Sequence, residues 1–181
     1  EKMHVMVEHA CNGLGGVSPS QVEMQSGIQF YDGISTDEIQ GILIKSASDL
    51  ISLDQPNYQF VAARLLLFSL RKSLYGKLFE IPHLQEHINR CVESGVYDPA
   101  VKDKFTVGEI NEIEKFLDHD RDYLFTYAGL RQVADKYLVQ DRSSGQVYET
   151  PQFMYVLIAM TMFAEYDRGT RLNYIKKYYD A

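Results

Sequence analysis

Helix start and stop signals recur at short intervals along this chain, and that spacing constrains its fold more than any other feature. Ser35 and Glu38 form a capping-box pattern, and Gly76 follows a long apolar run as a stop signal. Apolar residues recur every three or four positions between such signals. In the first 77 residues this pattern predicts four helices, at residues 2–14, 18–31, 35–50 and 54–76. Four helices joined by short turns indicate a compact bundle.

The remaining chain continues the helical pattern after Pro82, with one interruption. A second capping-box pattern occurs at Thr106 and Glu109, and Thr150-Pro151 precedes a strongly apolar segment. Helices are predicted at residues 83–94, 106–117, 128–136, 153–164 and 171–179. The interruption, LVQDRSSGQVYE at residues 138–149, alternates on both sides of a Ser-Ser-Gly turn and predicts a β-hairpin. The predicted fold is therefore mainly α, with one hairpin.

Composition excludes several classes of function. The chain of 181 residues has a formal net charge of −7, which argues against binding to duplex nucleic acid. Two distant cysteines, Cys11 and Cys91, exclude a zinc ribbon and are typical of a reducing cytoplasm. The longest apolar run, at residues 153–164, is too short to span a bilayer, and no secretory signal is evident. We predict a cytoplasmic protein without a nucleic-acid or membrane partner.

Two clusters of polar residues resemble metal sites without meeting their requirements. DHDRD at residues 118–122 lacks the glycine and glutamate of a calcium loop, because Tyr123 and Gly129 occupy those positions. This charge run predicts a solvated, salt-bridged turn. The HLQEH sequence from His83 to His87 has its glutamate at the wrong place for a zinc protease and predicts a surface pair. No metal site and no catalytic constellation is predicted.

Positive charge is concentrated at the end of the fourth predicted helix. The segment FVAARLLLFSLRKSLYGK, residues 60–77, carries Arg64, Arg71 and Lys72 in an otherwise acidic chain. These cations compensate the negative end of the helix dipole, or they form part of an anion site. The Ser35-Thr36 turn offers backbone N–H groups at a helix start that suit a phosphate or a base edge. Periodicity alone leaves both interpretations open.

Longer stretches of sequence resemble a known family. FYDGISTDEIQGILIKSASDLIS and DQPNYQFVAARLLLFSLRKSLYG resemble the ATP-cone of a class I ribonucleotide reductase large subunit. SGVYDPAV, LDHDRDYLFTYAGL and KYLVQDRSSGQVYETPQFMYVLIAM resemble the helical N-terminal domain that follows the cone in that family. The resemblance implies a partial four-helix cone at residues 1–77, without the family's β cap. It also implies a helical domain at residues 78–181, leading towards a catalytic barrel that this sequence does not include.

The resemblance also implies a regulatory role. In that family the cone is an activity switch: bound ATP permits turnover, and dATP favours an inhibited assembly with the small, radical-generating subunit. We therefore expect ATP or dATP as effector, accompanied by Mg²⁺, and self-association of the large subunit. Ribonucleoside diphosphate substrates would bind the barrel. Cys11 and Cys91 do not match the family's redox cysteines, so no catalytic residue is assigned.

Individual residues match the family's effector contacts. By resemblance, Lys2 and Lys72 contact the effector phosphates, and Thr36 contacts the adenine. His4 lies near the same pocket, and Gln40 stands where some relatives carry a histidine. The resemblance therefore makes Lys72 the candidate phosphate ligand of the basic helix end, while Arg64 and Arg71 are assigned structural roles.

Two alternatives belong to other functional classes. A transcriptional repressor can use the same cone, but such repressors carry a four-cysteine zinc ribbon before it, and this chain has two cysteines. The long helical extension after the cone also argues against a repressor. The second alternative is a cone that has lost nucleotide binding and serves only as an oligomerisation surface. Retention of Lys2, Thr36 and Lys72 argues against that reading.

Overall fold

The computed structural model describes the backbone of residues 2–181 and the side chains of residues 3–181. Within these residues the fold is almost entirely helical, as the sequence predicts. No described helix combines the length and the apolar character needed to cross a membrane. The α-helices are α1 (Lys2–Cys11), α2 (Pro19–Gly27), α3 (Thr36–Asp49), α4 (Tyr58–Tyr75), α5 (Leu84–Glu93), α6 (Ala100–Lys104), α7 (Val107–Glu114), α8 (Tyr127–Lys136), α9 (Pro151–Phe163) and α10 (Arg168–Asp180).

The chain forms two compact units that are not continuous in sequence. The first unit contains residues 1–80 and 120–137, and the second contains residues 81–119 and 138–181. Helices α1 to α4 therefore share a unit with α8. The predicted boundary between residues 77 and 78 concerned family domains and stays a prediction. The division into compact units shows in addition that residues 120–137 pack with the first unit.

Helix α4 is the centre of the first unit. It is apolar on most of its circumference, and its residues contact α1, α3 and α8. Such a helix must be covered on most sides, because each large apolar side chain contributes about 1.5–3 kcal/mol when it is withdrawn from water. Gly76 ends α4 in the left-handed conformation that glycine adopts without strain. The core around it contains Met6, Val7, Ala10, Val22, Leu43, Ala47, Tyr58, Val61, Ala62, Leu65 and Phe68.

A buried ion pair attaches residues 120–137 to α4. Arg71 is 2% exposed and Asp122 is 1% exposed, and their Nη2 and Oδ2 atoms are 3.6 Å apart. Arg71 Nη1 also donates a hydrogen bond to the Tyr123 hydroxyl at 3.1 Å. The prediction that DHDRD forms a solvated turn is thus wrong for Asp122, and the segment His119–Leu124 is a 3₁₀ helix. The charge pattern could not reveal this, because the partner of Asp122 lies about 50 residues earlier in the chain.

A hydrogen-bonded network occupies the core of the second unit. His87 is completely buried and stacks on Phe153, with ring centroids 3.9 Å apart. Its Nε2 lies 2.9 Å from the hydroxyl oxygen of Tyr97, which donates to Glu149. Burial lowers the pKa of His87 to about 3, with further lowering by the nearby charge of Arg90. The predicted surface pair is therefore wrong: His83 is exposed, whereas His87 is a neutral core residue.

A second buried ion pair fixes α10 in the same unit. The Arg171 guanidinium donates two hydrogen bonds to Glu109, one of them from Nε at 2.8 Å. It also donates to the carbonyl oxygens of Ala164 and Lys104, at 2.9 and 2.7 Å. Burial alone would raise the pKa of Glu109, but hydrogen bonds from Thr106 and Arg171 outweigh it and lower that pKa. Arg171 therefore connects the starts of α7 and α10 to the ends of α6 and α9.

Most helix boundaries lie within a few residues of the predicted ones, and both predicted capping boxes are present. Ser35 with Glu38 and Thr106 with Glu109 make the reciprocal bonds of that motif. The hairpin at residues 138–149 is less regular than predicted. It keeps a single antiparallel bridge between Gln140 and Val147, because Asp141 binds Ser143 and Ser144 in a tight turn.

We expect Arg171→Met to destabilise the protein by about 3–5 kcal/mol, because it leaves the Glu109 carboxylate buried without its cation. The free energy of unfolding from urea denaturation at pH 7 measures this loss. Arg168→Met is the matched control, since Arg168 is an exposed residue of the same helix. The deficit should shrink as the pH falls below the ordinary pKa of a glutamate, because protonation neutralises the orphaned carboxylate. A loss of less than 1 kcal/mol at pH 7 would contradict this account.

We expect His87 to make stability depend on pH. Its folded pKa of about 3 lies below the ordinary value of 6.5, so the unfolded chain binds an extra proton between these values. The free energy of unfolding should fall with decreasing pH in this window, with a slope approaching about 1.4 kcal/mol per pH unit. Urea denaturation from pH 7.5 to 5 should show a shallower slope for His87→Leu, while the exposed-site control His83→Leu keeps the wild-type slope. Equal slopes in all three proteins would exclude His87 as the source.

Candidate functional site

Helices α1 and α3 both run antiparallel to α4. Arg64 Nη1 donates to the carbonyl oxygens of Ala10 and Asn12, at 3.2 and 2.7 Å, and Asn57 donates to that of Gly15 at 2.8 Å. An earlier residue of α4 therefore contacts a later residue of the segment at the end of α1, which is the pattern of antiparallel helices. On the other side, Ser69 Oγ donates to Gln40 Oε1 at 3.1 Å, and a short loop joins α3 to α4.

One end of the first unit thus gathers three helix termini: the start of α1, the start of α3 and the last turn of α4. We call this the Lys72 end. Thr36 is one turn before Gln40 and Lys72 is about one turn after Ser69, so both extend in the same direction from the Gln40–Ser69 bond. At a rise of about 1.5 Å per residue they lie roughly 5–6 Å beyond that bond. The structure therefore brings Thr36 and Lys72 to the same end of the bundle.

The start of α3 is held in a defined shape. Ser35 Oγ accepts from the Glu38 backbone N–H at 3.2 Å, and Glu38 accepts from the Ser35 N–H at 2.9 Å. The Tyr31 hydroxyl donates to the second Glu38 oxygen at 3.0 Å. These bonds lower the pKa of Glu38, with the Ser35 contribution the largest. Thr36, the first residue of the helix, is exposed beside this rigid turn.

Charge is distributed unequally across the Lys72 end. Asp37 and Glu38 occupy the first turn of α3, whereas Lys72 is the basic residue in the last turn of α4. Among the described side chains, the Lys72 ammonium has no carboxylate partner within ion-pair distance. An anion is favoured beside Lys72, and hydrogen-bond donors such as an exocyclic amine are favoured beside Thr36 and Asp37. The arrangement suits a ligand with a polar base at one end and phosphates at the other.

His4 is engaged with two carboxylates near the start of α1. Its Nδ1 lies 2.7 Å from Glu23 Oε1 on α2, and its Nε2 lies 3.1 Å from Glu8 Oε1. The hydrogen bond to Glu23, and then the charges of Glu8 and Glu23, raise the pKa of His4. Its role as an effector contact stays a prediction. The visible interaction of His4 is a link between α1 and α2.

Lys2 and Gln40 are the two remaining residues for which the sequence suggested an effector contact. The side chain of Lys2 lies outside the described residues, although Lys2 is the first residue of α1 and so belongs to the Lys72 end. Gln40 is buried, and its side-chain oxygen accepts the Ser69 bond between α3 and α4. Arg64 and Arg71 have the structural roles that the sequence suggested, since both guanidinium groups bind protein atoms.

Sequence reasoning missed the residues that organise the region around this site. Tyr31 supports the α3 turn through Glu38, and Tyr123 lies between two arginines of α4. The guanidinium carbons of Arg64 and Arg71 are 5.4 and 5.3 Å from the Tyr123 ring centroid. The seven-residue spacing of these arginines was a usable signal, because it puts both on one helix face. Their common aromatic partner was not readable from that spacing.

Comparison with known proteins supports the family resemblance along the chain. Residues 123–181 match the family described as "Ribonucleotide reductase, all-alpha domain". Over all 181 residues the chain is 49% identical to ribonucleoside-diphosphate reductase 1 subunit alpha of Escherichia coli strain K12. The corresponding subunit alpha of Enterobacteria phage T4 is 42% identical over 168 residues, or 92% of this chain, and that of Helicobacter pylori is 37% identical over 159 residues, or 88%.

The predicted resemblance to ribonucleotide reductase large subunits is confirmed. The chain spans about a quarter of the length of these relatives, with 24% of the Escherichia coli protein, 22% of the phage protein and 20% of the Helicobacter pylori protein covered. The family match begins at Tyr123, inside the segment that packs with the first unit. Sequence family and compact unit therefore divide this chain at different places.

We expect the His4 pKa to depend chiefly on Glu23. Because Glu23 makes the larger contribution, Glu23→Gln should lower the His4 pKa more than Glu8→Gln, and both should lower it relative to wild type. NMR titration of the His4 ring protons measures the three values. The charged contact should be complete below pH 6.5 and be lost as the pH rises through the raised pKa. The reverse order of the two variants would show that the helix α2 contact is not the dominant one.

Proposed function

We propose that residues 1–77 bind ATP or dATP as an allosteric effector within a ribonucleoside-diphosphate reductase large subunit. The observation that carries the proposal is the meeting of Thr36 and Lys72 at one end of the bundle, beside two helix N-termini. In this proposal Thr36 contacts the adenine and Lys72 contacts the phosphates. Lys2 adds a second phosphate contact, and His4 borders the pocket. Mg²⁺ arrives with the nucleotide and is coordinated through its phosphates.

The physical chemistry of the Lys72 end supports this orientation. Phosphates are repelled by Asp37 and Glu38 at the start of α3 and attracted by the Lys72 ammonium. The adenine amine is a donor that matches the Thr36 hydroxyl and the neighbouring carboxylate. A charge-assisted hydrogen bond of this kind contributes about 1.5–3 kcal/mol. The site therefore recognises a nucleotide by contacting its adenine and its phosphates with different side chains.

Discrimination between ATP and dATP requires one further polar contact. The two effectors differ by a single hydroxyl, and a buried group that is satisfied by only one of them makes the difference in affinity. A few kcal/mol of differential binding between two quaternary states is then enough to shift assembly. We propose that ATP supports turnover, and that dATP favours an inhibited assembly with the small, radical-generating subunit. This assembly also involves self-association of the large subunit.

The parent enzyme in this proposal reduces ribonucleoside diphosphates to deoxyribonucleotides in the cytoplasm. The relatives support this by name, since each is a ribonucleoside-diphosphate reductase subunit alpha. No residue of this chain is assigned to the chemical step. Residues 78–181 would connect the regulatory cone to the catalytic barrel that binds the diphosphate substrates.

A second candidate function is association without nucleotide binding. Met24 and Ile28, on and just after α2, are 74% and 83% exposed, so two large apolar side chains of this region lie at the surface. A contiguous apolar surface favours contact with another protein surface. In this alternative the cone serves only as an oligomerisation surface, and the Lys72 end takes no ligand.

We expect Lys72→Ala to weaken ATP and dATP binding by about 10- to 150-fold, the equivalent of one charge-assisted hydrogen bond. Calorimetric titration of the full-length large subunit carrying this segment measures the affinities. Lys45→Ala is the matched control, because Lys45 is an exposed α3 lysine that pairs with Asp49 away from the Lys72 end. Thr36→Ala should weaken the binding of both nucleotides. The salt dependence of their affinities, which Lys72 confers, should not change.

The outcomes separate the two candidate functions. Unchanged affinity in Lys72→Ala, with normal binding by the wild type, would remove Lys72 from the site. A wild-type subunit that bound neither nucleotide would favour the oligomerisation surface. In that case Met24→Ser and Ile28→Ser should alter the sedimentation coefficient of the subunit.

A further inference from the structure

Residues 120–137 occupy an unusual place in the chain. They belong to the first compact unit, but the chain enters them from the second unit at His119 and returns to it at Leu138. The segment is therefore covalently joined to the second unit at both of its ends. Any displacement of the segment relative to α4 must be accommodated by the second unit's chain at both junctions.

Polar contacts join this segment to one face of α4. Arg71 forms the buried ion pair with Asp122 and donates to the Tyr123 hydroxyl. Arg64, two turns earlier, has its guanidinium carbon 5.4 Å from the centroid of the Tyr123 ring, and Phe68 meets the same ring edge-on at 6.1 Å. Residues 64, 68 and 71 follow the spacing of a single helix face. Tyr123 thus contacts three α4 side chains that are adjacent on the helix surface.

Apolar contacts complete the attachment. Leu130 of α8 is completely buried against Ala63, Leu66 and Leu67 of α4. Interfaces of this kind have discrete arrangements, because a close-packed core does not deform continuously and a buried ion pair is costly to separate partly. Separation of the segment from α4 would therefore expose and hydrate the charges of Asp122 and Arg71 together. Allosteric coupling requires an element that has two such discrete arrangements.

Arg71 directly precedes Lys72, the first residue in the last turn of α4. We infer that residues 120–137 are the output arm of the effector site, and that the Arg71–Asp122 pair transmits occupancy at Lys72 to the second unit. The inference rests on the proposed function, since it assumes a nucleotide at the Lys72 end. A phosphate held by Lys72 restrains the turn that also carries Arg71, and so it changes the balance between the docked and displaced states. Asp122 and Tyr123 are positioning residues that contact no effector atom.

The test uses the full-length large subunit together with its small subunit. In Asp122→Asn we expect ATP and dATP to bind with affinities within about threefold of wild type, while the ratio of activity in ATP to activity in dATP falls by about fivefold or more. Asp122→Glu, which keeps the charge, should recover part of the ratio. The matched control is Asp135→Asn, the same change on α8 at an exposed ion pair with Arg131. It should leave both readouts unchanged.

A second measurement needs no variant. Hydrogen exchange of the wild-type subunit, with and without dATP, should change in α8 as well as in the last turn of α4. Effector-dependent exchange confined to α1, α3 and α4 would overturn the inference, as would an unchanged activity ratio in Asp122→Asn. Loss of nucleotide binding in Asp122→Asn would also overturn it, because the pair would then serve binding and not transmission. Failure of the proposed function is distinguishable, since the wild-type subunit would then bind neither nucleotide, and the inference would fail with it.

Discussion

The burial of α4 on most of its surface is the constraint on which the first unit depends. A helix with this many apolar residues needs neighbours on several sides, and α1, α3 and α8 provide them. The same burial forces each cation of the helix into a specific arrangement. Arg64 satisfies the carbonyl groups at the end of α1, and Arg71 pairs with Asp122. Lys72, half-buried in the last turn of α4, is left as a cation near the end of the bundle where two other helices begin.

The second unit is organised by buried polar groups in place of a single dominant helix. Arg171 donates hydrogen bonds to the carboxylate of Glu109 and to two backbone carbonyl groups. Two of these partners, Glu109 and Lys104, lie more than 60 positions away in the chain. His87 and Glu149 are linked through Tyr97, so a base and an acid are buried with their hydrogen bonds satisfied. Burial raises the pKa of Glu149 despite the bonds from Tyr97 and Val139. Buried polar groups of this kind specify one arrangement, since misplacing either partner leaves the other unsatisfied.

Much of this architecture was predictable from the sequence, for reasons that are local. The capping boxes at Ser35 and Thr106 depend on residues three positions apart, and Gly76 ends α4 through its own backbone freedom. The hairpin was predicted as longer than it is, because the alternation of side chains did not reveal the tight turn around Asp141. Of the candidate site, Thr36 and Lys72 were assigned through a family resemblance, and their meeting at one end follows from the antiparallel helices. Whether they bind a nucleotide stays a proposal.

What the sequence determined by itself is the set of helices, their order and the basic character of the end of α4. These properties depend on periodicity, capping and composition over a few neighbouring residues. The tertiary structure decided which polar residues are withdrawn from water. Asp122 and His87 read as surface residues in sequence, yet one neutralises Arg71 and the other stacks on Phe153. The physical reason is that the cost of burying a polar group depends on partners that are distant in the chain, and only the folded arrangement brings those partners together.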